Sequence, residues 1–280
     1  MNVITIANFT FHEALRKKVV LAAAVLSFAF LALYALGFHF FVTEAARSVR
    51  VSGTASIFAR EFGVLVMMGL YVVNFFGGLL AIFTAVGTIS GEIESGTLHA
   101  VVPKPIRRWE IMVGKWLGYA IMLSVYVFVM AWGVIGLSYV QNGYLPSQPL
   151  YGSCLMVLVS LLLLSLTFAG SAIFTTVTNG IVVFMLYGIA SVGGMVEGIG
   201  TLIQSEILLN IGIVSSLIVP SDVIWKSATY FLQPRLFDLI PVPTPFSSVS
   251  PPSLPMIAYA IGYCVVVLLA GIKLFQQRDL

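Results

Sequence analysis

Residues 90–115 of the 280-residue chain read S-G-E-I-E-S-G-T-L-H-A-V-V-P-K-P-I-R-R-W-E-I-M-V-G-K. This charged island, the name used below for 90–115, holds seven of the protein's charged side chains, which number 14 basic and 11 acidic. Long apolar runs, 62–89 and 116–140, flank it on both sides. A short charged segment between two such runs indicates an extramembrane link between two membrane-spanning helices.

The composition around the island excludes an ordinary soluble domain. The chain is 59% hydrophobic and only 9% charged, whereas roughly a quarter of the residues are charged in soluble globular domains. It therefore predicts an all-α polytopic membrane protein surrounded by the lipid bilayer. The net charge of +3 gives no reason to expect nucleic acid as a partner, because basic residues in such a chain more often set its topology.

Six segments are predicted to cross the membrane as helices, since about 20 apolar residues span the hydrocarbon core. They are 19–42, 62–89, 116–140, 150–178, 180–203 and 254–275, the last built on the 17-residue apolar run 256–272. The first has 24 residues, longer than the roughly 7–15 of a signal-peptide core, so we expect an anchor that is retained. The 13-residue run 207–219 is too short to span and is expected to be interfacial or re-entrant.

Six spans place both termini on the same side of the membrane. The distribution of basic residues predicts which side that is. Nine basic residues share that side: Arg16, Lys17, Lys18, Lys104, Arg107, Arg108, Lys115, Lys273 and Arg278. Five lie on the other: Arg47, Arg50, Arg60, Lys226 and Arg235. The richer side is predicted to be cytoplasmic. Both termini, the charged island and a tight turn at Thr178-Asn179 would then face the cytoplasm, with 1–18 an amphipathic helix along the inner surface.

The largest extramembrane segment is predicted at 204–253, an outer-face loop with short helices. Six of the 12 prolines fall between 241 and 255, and they force an extended strap across the outer face. An outer-face partner at 204–255 is left open. We see no internal repeat and no separate soluble domain, so 1–280 is predicted to be a single transmembrane unit.

Two polar residues inside spans are candidates for a substrate path or gate. Glu197 is the only acidic residue within a predicted span, and a carboxylate in a membrane is a functional hypothesis by default. The alternative is a carboxylate that reaches outer water or pairs with an outer-loop arginine. Asn74 lies in the middle of the second span, where hydrogen bonding between helices is the alternative to lining a path.

Metal binding and catalysis find little support in the residue pattern. Cys154 and Cys264 lie singly in apolar runs, and His12, His39 and His99 are scattered without metal spacing, so no metal site is predicted. No Ser/His/Asp set or pair of carboxylates occurs inside a span, which disfavours a membrane-embedded hydrolase.

Physical chemistry predicts two short helices in the charged island. Glu92 and Glu94 follow the second span and cannot lie deep in lipid. Pro103 and Pro105 then break the chain, and a new helix is expected to begin near Arg107 and run into the third span. The segment 90–115 would lie across the inner surface with its charges towards the cytoplasm.

The pattern G-E-x-E-S-G-T-L, then P-x-x-R-W-E-I, then G-K, resembles the signature of ABC-2 type transporter permeases, and the tail 275–280 resembles theirs too. The resemblance implies a half-transporter that pairs with a second permease copy, identical or related, in a bacterial or archaeal cytoplasmic membrane. It also implies a separate cytoplasmic ATPase subunit that binds ATP and Mg²⁺. The chain has no G-x-x-x-x-G-K-[ST] phosphate loop, so we expect neither enzyme activity nor a bound cofactor of its own.

The same resemblance assigns roles within the island. It places Glu92, Glu94, Ser95, Gly96 and Thr97 in a coupling helix held by the ATPase, with Arg107, Arg108 and Glu110 supporting it through ion pairs. One departure is Arg107, where the family often has Ser or Thr to form a capping box with Glu110. Arginine cannot cap in that way.

Three functions remain in competition at this point. The first is the permease subunit of an ABC exporter, which couples ATP hydrolysis by its partner to substrate movement. The second is a membrane scaffold or assembly factor, of the kind linked to copper-enzyme maturation, that moves nothing itself. The third, a membrane enzyme, is disfavoured by the missing catalytic set.

Overall fold

The computed structural model describes residues 3–52, 55–91, 107–233 and 252–277. Within these ranges the regular structure is α-helical and contains no strand, which confirms the predicted all-α class. The helices in chain order are α1 (Val3–Arg16), α2 (Lys18–Ser52), α3 (Ala55–Ala85), α4 (Arg108–Asn142), α5 (Pro149–Ser171), α6 (Thr176–Ile203), α7 (Glu206–Ile218), α8 (Ser221–Leu232) and α9 (Leu254–Gln277).

Six of the described helices are long and apolar enough to cross a membrane. They are α2 to α6 and α9, with candidate spans Lys18–Glu44, Phe62–Ala85, Arg108–Asn142, Pro149–Ser171, Thr176–Ile203 and Leu254–Gln277. The number agrees with the six spans predicted from the apolar runs. Each span has at least 23 residues, more than the roughly 20 needed to cross the hydrocarbon core.

The predicted turn at Thr178-Asn179 is wrong. The turn lies at 172–175, between the end of α5 at Ser171 and the start of α6 at Thr176. Asn179 is a fully buried residue inside α6, and its Nδ2 donates a hydrogen bond to the Thr167 carbonyl of α5 at 2.9 Å. Its polarity, which favours a turn in the sequence, serves instead to join two helices in an apolar setting.

Helix α5 is the centre of the bundle. Of its most apolar 18-residue window 67% is buried, against 6% for α2 at the periphery. Three hydroxyl groups of α5 are satisfied within the helix, since Ser153, Ser165 and Thr167 donate to carbonyls four residues earlier at 2.7–3.0 Å, whereas the buried Ser160 hydroxyl has no partner among the described residues. Hydroxyl donation to the helix's own carbonyls is thus how α5 carries most of these polar residues in an apolar setting.

The first and last described helices meet at one end of the bundle, which we call the island end because α3 ends and α4 begins there. Helix α1 packs on the first turns of α4, where Gly114 and Gly118 leave room for its backbone. At α9, the carbonyl of Gln276 accepts a hydrogen bond from Arg108 Nη1 at 3.3 Å. The helices near both termini thus approach the start of the same helix, α4.

Helices α7 and α8 form a bent pair with an angle of 101° between them. Pro220 stands at the break, where it can supply no backbone N–H. At 13 and 12 residues each helix is about 20 Å long, too short to cross the roughly 30 Å core alone. The predicted proline strap lies mostly at 234–251, outside the described residues.

Candidate functional site

The structure reaches the charged island only at its two borders. Glu92, Glu94, Ser95, Gly96 and Thr97, and with them the predicted coupling helix, lie outside the described residues. Their assignment stays a prediction from the resemblance. What can be described is how the chain enters the island from α3 and leaves it into α4.

The exit from the island is the first turn of α4. Arg107 occupies the N-cap position with extended backbone angles (φ −74°, ψ 136°) and makes no side-chain capping bond, which agrees with the expectation that arginine cannot cap there. Glu110 lies in the first turn, where a carboxylate favours the positive end of the helix dipole. Arg108 ties this turn to α9 through the Gln276 carbonyl. The ion pairs predicted for these residues stay a prediction.

The chain enters the island through residues 84–91, which we call the exit segment of α3 because α3 ends within them, at Ala85. Its side chains are mostly buried: Thr84 is 1%, Thr88 5% and Ser90 2% exposed. The backbone leaves the α-helical pattern here, because the Thr88 N–H donates to the Ala85 carbonyl at 3.0 Å and not to Thr84. The carbonyl of Thr84 is thereby left to side-chain donors.

Three side chains from other parts of the bundle donate to carbonyls of the exit segment. Lys17 Nζ reaches the Thr84 carbonyl at 3.4 Å, Lys115 Nζ reaches that of Thr88 at 3.4 Å, and Asn179 Nδ2 reaches that of Val86 at 3.5 Å. The last carbonyls of a helix lack partners within the helix and carry partial negative charge, so cations and N–H donors stabilise them.

A fourth contact joins the exit segment to α6 by hydroxyl groups. Ser90 Oγ and Thr176 Oγ1 lie 2.9 Å apart. Gly87 also lies against Thr176, whose Cγ2 would be 3.2 Å from an added Cβ. The exit segment is therefore in contact with the α1–α2 junction, α4 and α6 at once.

Asn74 and Glu197 are not brought into one cluster by the contacts described. Asn74 on α3 is 5% exposed, and its Oδ1 has no hydrogen-bond partner among the described residues. Glu197 on α6 instead forms an ion pair with Lys226 of α8, with 2.8 Å between Oε2 and Nζ. The alternative of an arginine partner for Glu197 is corrected to a lysine.

Lys226 forms ion pairs with two carboxylates. Besides Glu197, it pairs with Oδ2 of Asp222 at 3.1 Å, one turn earlier on α8, and it donates to the Gly194 carbonyl of α6 at 3.1 Å. We call Glu197, Asp222 and Lys226 the carboxylate–lysine cluster. Its side chains are 11–29% exposed, so its charges are largely shielded from solvent.

Sequence reasoning missed Asp222 and Lys226, although a signal was present. An Asp four residues before a Lys is the spacing at which side chains meet on one helix face. The segment is predicted to be an outer-face loop with short helices, and Lys226 is counted there only as one of the basic residues that set the orientation. Its contact with Glu197 requires the bent pair to fold back on α6.

Glycines allow this close approach of α6 to the bent pair. An added Cβ on Gly194 would lie 1.7 Å from Asp222 Oδ2, and one on Gly193 would lie 1.8 Å from Ser215 Oγ. On the facing helix α7, a Cβ on Gly212 would lie 2.4 Å from the Cβ of Glu197. Small residues at a helix interface are typical of close packing in membranes.

Metal ligation receives no support from the part of the chain that the structure describes. No group of three or more His, Cys, Asp or Glu side chains lies close enough there to hold an ion. The carboxylate–lysine cluster contributes two acidic groups only, and its lysine occupies the position between them. Its arrangement suits the joining of helices more than the binding of a cation.

Comparison with known proteins adds the family. The model of the ABC-2 family transporter proteins matches residues 4–280, almost the whole chain. No curated protein matches the chain. The match covers all nine described helices from the second residue of α1 onward, and it agrees with six helices long enough to cross a membrane. The chain belongs to the ABC-2 family of transporter proteins and is the membrane permease of an ABC transporter.

Proposed function

We propose that this chain is the permease subunit of an exporter in a bacterial or archaeal cytoplasmic membrane, working as two permease copies with separate ATPase subunits. The observation that carries the proposal is the family match over residues 4–280. The sequence supports a separate ATPase, because it contains no phosphate loop in 280 residues. The family itself implies an ATPase partner.

In this proposal the charged island is the contact with the ATPase. Closure of the ATPase pair on ATP would move the segment around Glu92 and Glu94 and, through it, α3 and α4. The bundle would then shift between inward-open and outward-open populations. Such a shift requires that nucleotide binding favours one state over the other.

The island end would face the cytoplasm, following the distribution of basic residues. α1 would lie at the inner membrane surface with its buried face on α4. Ile4 and Phe9 are 79% and 74% exposed, and their apolar side chains would enter the lipid interface. The bent pair would then lie at the outer face.

The experiment is affinity purification of the tagged permease from its native membrane, followed by identification of the bound ATPase. We expect Glu94→Lys to lower the ATPase recovered by about tenfold, or to leave it bound but unresponsive to ATP, because it reverses a charge at the proposed contact. The matched control is Glu44→Lys, which makes the same change at an exposed site on α2 and should behave as wild type.

Three results would contradict the proposal. The first is a purified complex with no ATPase. The second is full nucleotide response in Glu94→Lys, which would make the island a solvated loop. The third is an ATPase that binds without any nucleotide-dependent change in the permease, which would favour the scaffold or assembly factor.

A further inference from the structure

The exit segment of α3 is the covalent path into the charged island. Residues 84–91 continue directly into 92–106, so any displacement of the island on the α3 side passes through them. Their carbonyls accept from hydroxyls of the segment itself, Thr88 Oγ1 to Thr84 at 3.4 Å and Ser90 Oγ to Val86 at 3.1 Å, and also from N–H donors of other helices. The donors from other helices therefore link the exit segment to the helices that carry them, and these helices are expected to move with the island.

Lys17 contacts three residues through its ammonium group. Its Nζ lies within reach of the Tyr119 hydroxyl and the Thr84 carbonyl, and it pairs with Glu13 at 3.8 Å. It also lies 4.9 Å from the centre of the Tyr119 ring, a distance at which a cation is attracted to the ring face. The ammonium is thus placed between α3 and α4.

Lys17 stands at a distinctive point of the chain. It is the single residue between α1, which ends at Arg16, and α2, which begins at Lys18. Its neighbour Lys18 is exposed, so the two adjacent lysines have different surroundings. A contact made from this junction joins the carbonyl end of α3 to both α1 and the first span.

We propose that Lys17 is a positioning residue that couples movement of the charged island to α1 and α2, by holding the Thr84 carbonyl at the end of α3. The proposal rests on the proposed function, in which the island binds the ATPase. Lys115 and Asn179 hold neighbouring carbonyls from α4 and α6. Without Lys17, the first span would keep its packing on α3 and α4, as where Phe30 meets Phe76 and Ser27 Oγ lies 2.6 Å from the Tyr126 hydroxyl, but would lose its polar link at the island end.

The test compares Lys17→Met, Lys17→Arg and Lys18→Met in lipid nanodiscs, with the permease alone and with its ATPase. In the permease alone, amide hydrogen exchange of residues 86–91 should be roughly tenfold faster in Lys17→Met, the effect of losing one hydrogen bond from a charged group. Lys17→Arg keeps a charged donor and should restore slow exchange. Lys18→Met should match wild type.

In the complex, the readout is the change in exchange of α2 on adding ATP. We expect it to fall by about tenfold in Lys17→Met and to return in Lys17→Arg, while the amount of ATPase bound to the permease stays unchanged. A residue with a purely structural role would alter assembly as well. A wild-type response of α2 in Lys17→Met, or an equal loss in Lys18→Met, would overturn the proposal.

Two further parts of the experiment distinguish failure of the Lys17 proposal from misfolding of the variant and from failure of the proposed function. If Lys17→Met does not fold, Lys17→Gln replaces it, because glutamine is uncharged and one bond shorter and so withdraws the donor from the Thr84 carbonyl, and an unchanged response there overturns the proposal. If wild type recovers no ATPase, the proposed function fails. The exchange of residues 86–91 in the permease alone then decides whether Lys17 anchors the exit segment.

Discussion

Replacing Gly212 by alanine should loosen the bent pair from α6. The added Cβ would lie 2.4 Å from the Cβ of Glu197, closer than real Cβ atoms come to a neighbour, and 3.0 Å from its Cα, which is also a tight contact. The Cα belongs to the backbone of α6, so a side-chain rotation cannot relieve the contact. Helix α7 must therefore move away from α6, and the ion pair between Glu197 and Lys226 would lengthen.

The magnitude follows from two opposing terms. Overpacking at a tight interface costs about 1–3 kcal/mol, and the upper end applies because the contact is with backbone. Alanine in place of glycine inside a helix gains about 1 kcal/mol. The net loss is about 2 kcal/mol, which lowers the melting temperature of a chain of this size by roughly 4–8 °C.

Gly198 supplies the matched control. It lies inside α6 next to Glu197, and an added Cβ there would meet nothing within 4 Å. Gly198→Ala should therefore show only the propensity gain of about 1 kcal/mol, with a melting temperature raised by roughly 2–4 °C. The two variants make the same chemical change, one inside the α6–α7 interface and one beside Glu197 but outside it, yet they are expected to shift stability in opposite directions.

The assay uses the protein's own cysteines. Cys154 is exposed and Cys264 is buried, so in a Cys154→Ser background the remaining thiol reacts with a fluorogenic dye only after unfolding. Heating in detergent then gives a melting temperature for each variant. Equal melting temperatures for Gly212→Ala and Gly198→Ala would refute the close packing of α7 on α6.

Two further predictions test the far side of the bent pair by the same thermal assay. Lys226→Met should lower the free energy of unfolding by about 2–4 kcal/mol, because it leaves the carboxylates of Glu197 and Asp222 shielded from solvent without a cation. Glu197→Gln keeps the ion pair between Lys226 and Asp222 and should lower it by only about 1 kcal/mol. Equal losses in the two variants would contradict the carboxylate–lysine cluster. Tyr144→Phe removes a hydrogen bond of 2.8 Å to the Leu232 carbonyl of α8 and should cost about 1 kcal/mol, so an unchanged melting temperature would argue against that contact.

The number and class of the helices could be predicted because they depend on local quantities. An apolar run long enough to cross a membrane leaves the backbone no alternative to helix, since each carbonyl and N–H must be paired within the segment. This condition is read from the sequence without knowing which helices are neighbours. It gave six spans and identified 207–219 as too short to be one of them.

The ends of helices were harder because apolar runs continue through them. The stretch 150–178 contains no charge, so nothing in its composition separated the last turn of α5 from the turn at 172–175. The structure ends α5 at Ser171, and Asn179 then serves as a donor to both α5 and α3. A polar residue in a membrane protein can mark a turn or a helix contact, and the neighbours decide which.

Partners of buried polar groups on different helices could not be predicted, because the sequence does not show which helices are neighbours. Asp222 and Lys226 were within reach of sequence reasoning, because their spacing places them on one helix face. Glu197 was not, since it lies 25 positions before Asp222 and meets Lys226 only because the chain turns back after α6 at 204–205, bends by 101° at Pro220 and packs through glycines on both helices. The bend, the glycines and the carboxylate–lysine cluster therefore depend on one another. If α6 and the bent pair no longer approach closely, Lys226 keeps only its ion pair with Asp222 on the same helix. For this reason Gly212→Ala and Lys226→Met together should lower stability by less than the sum of their separate effects.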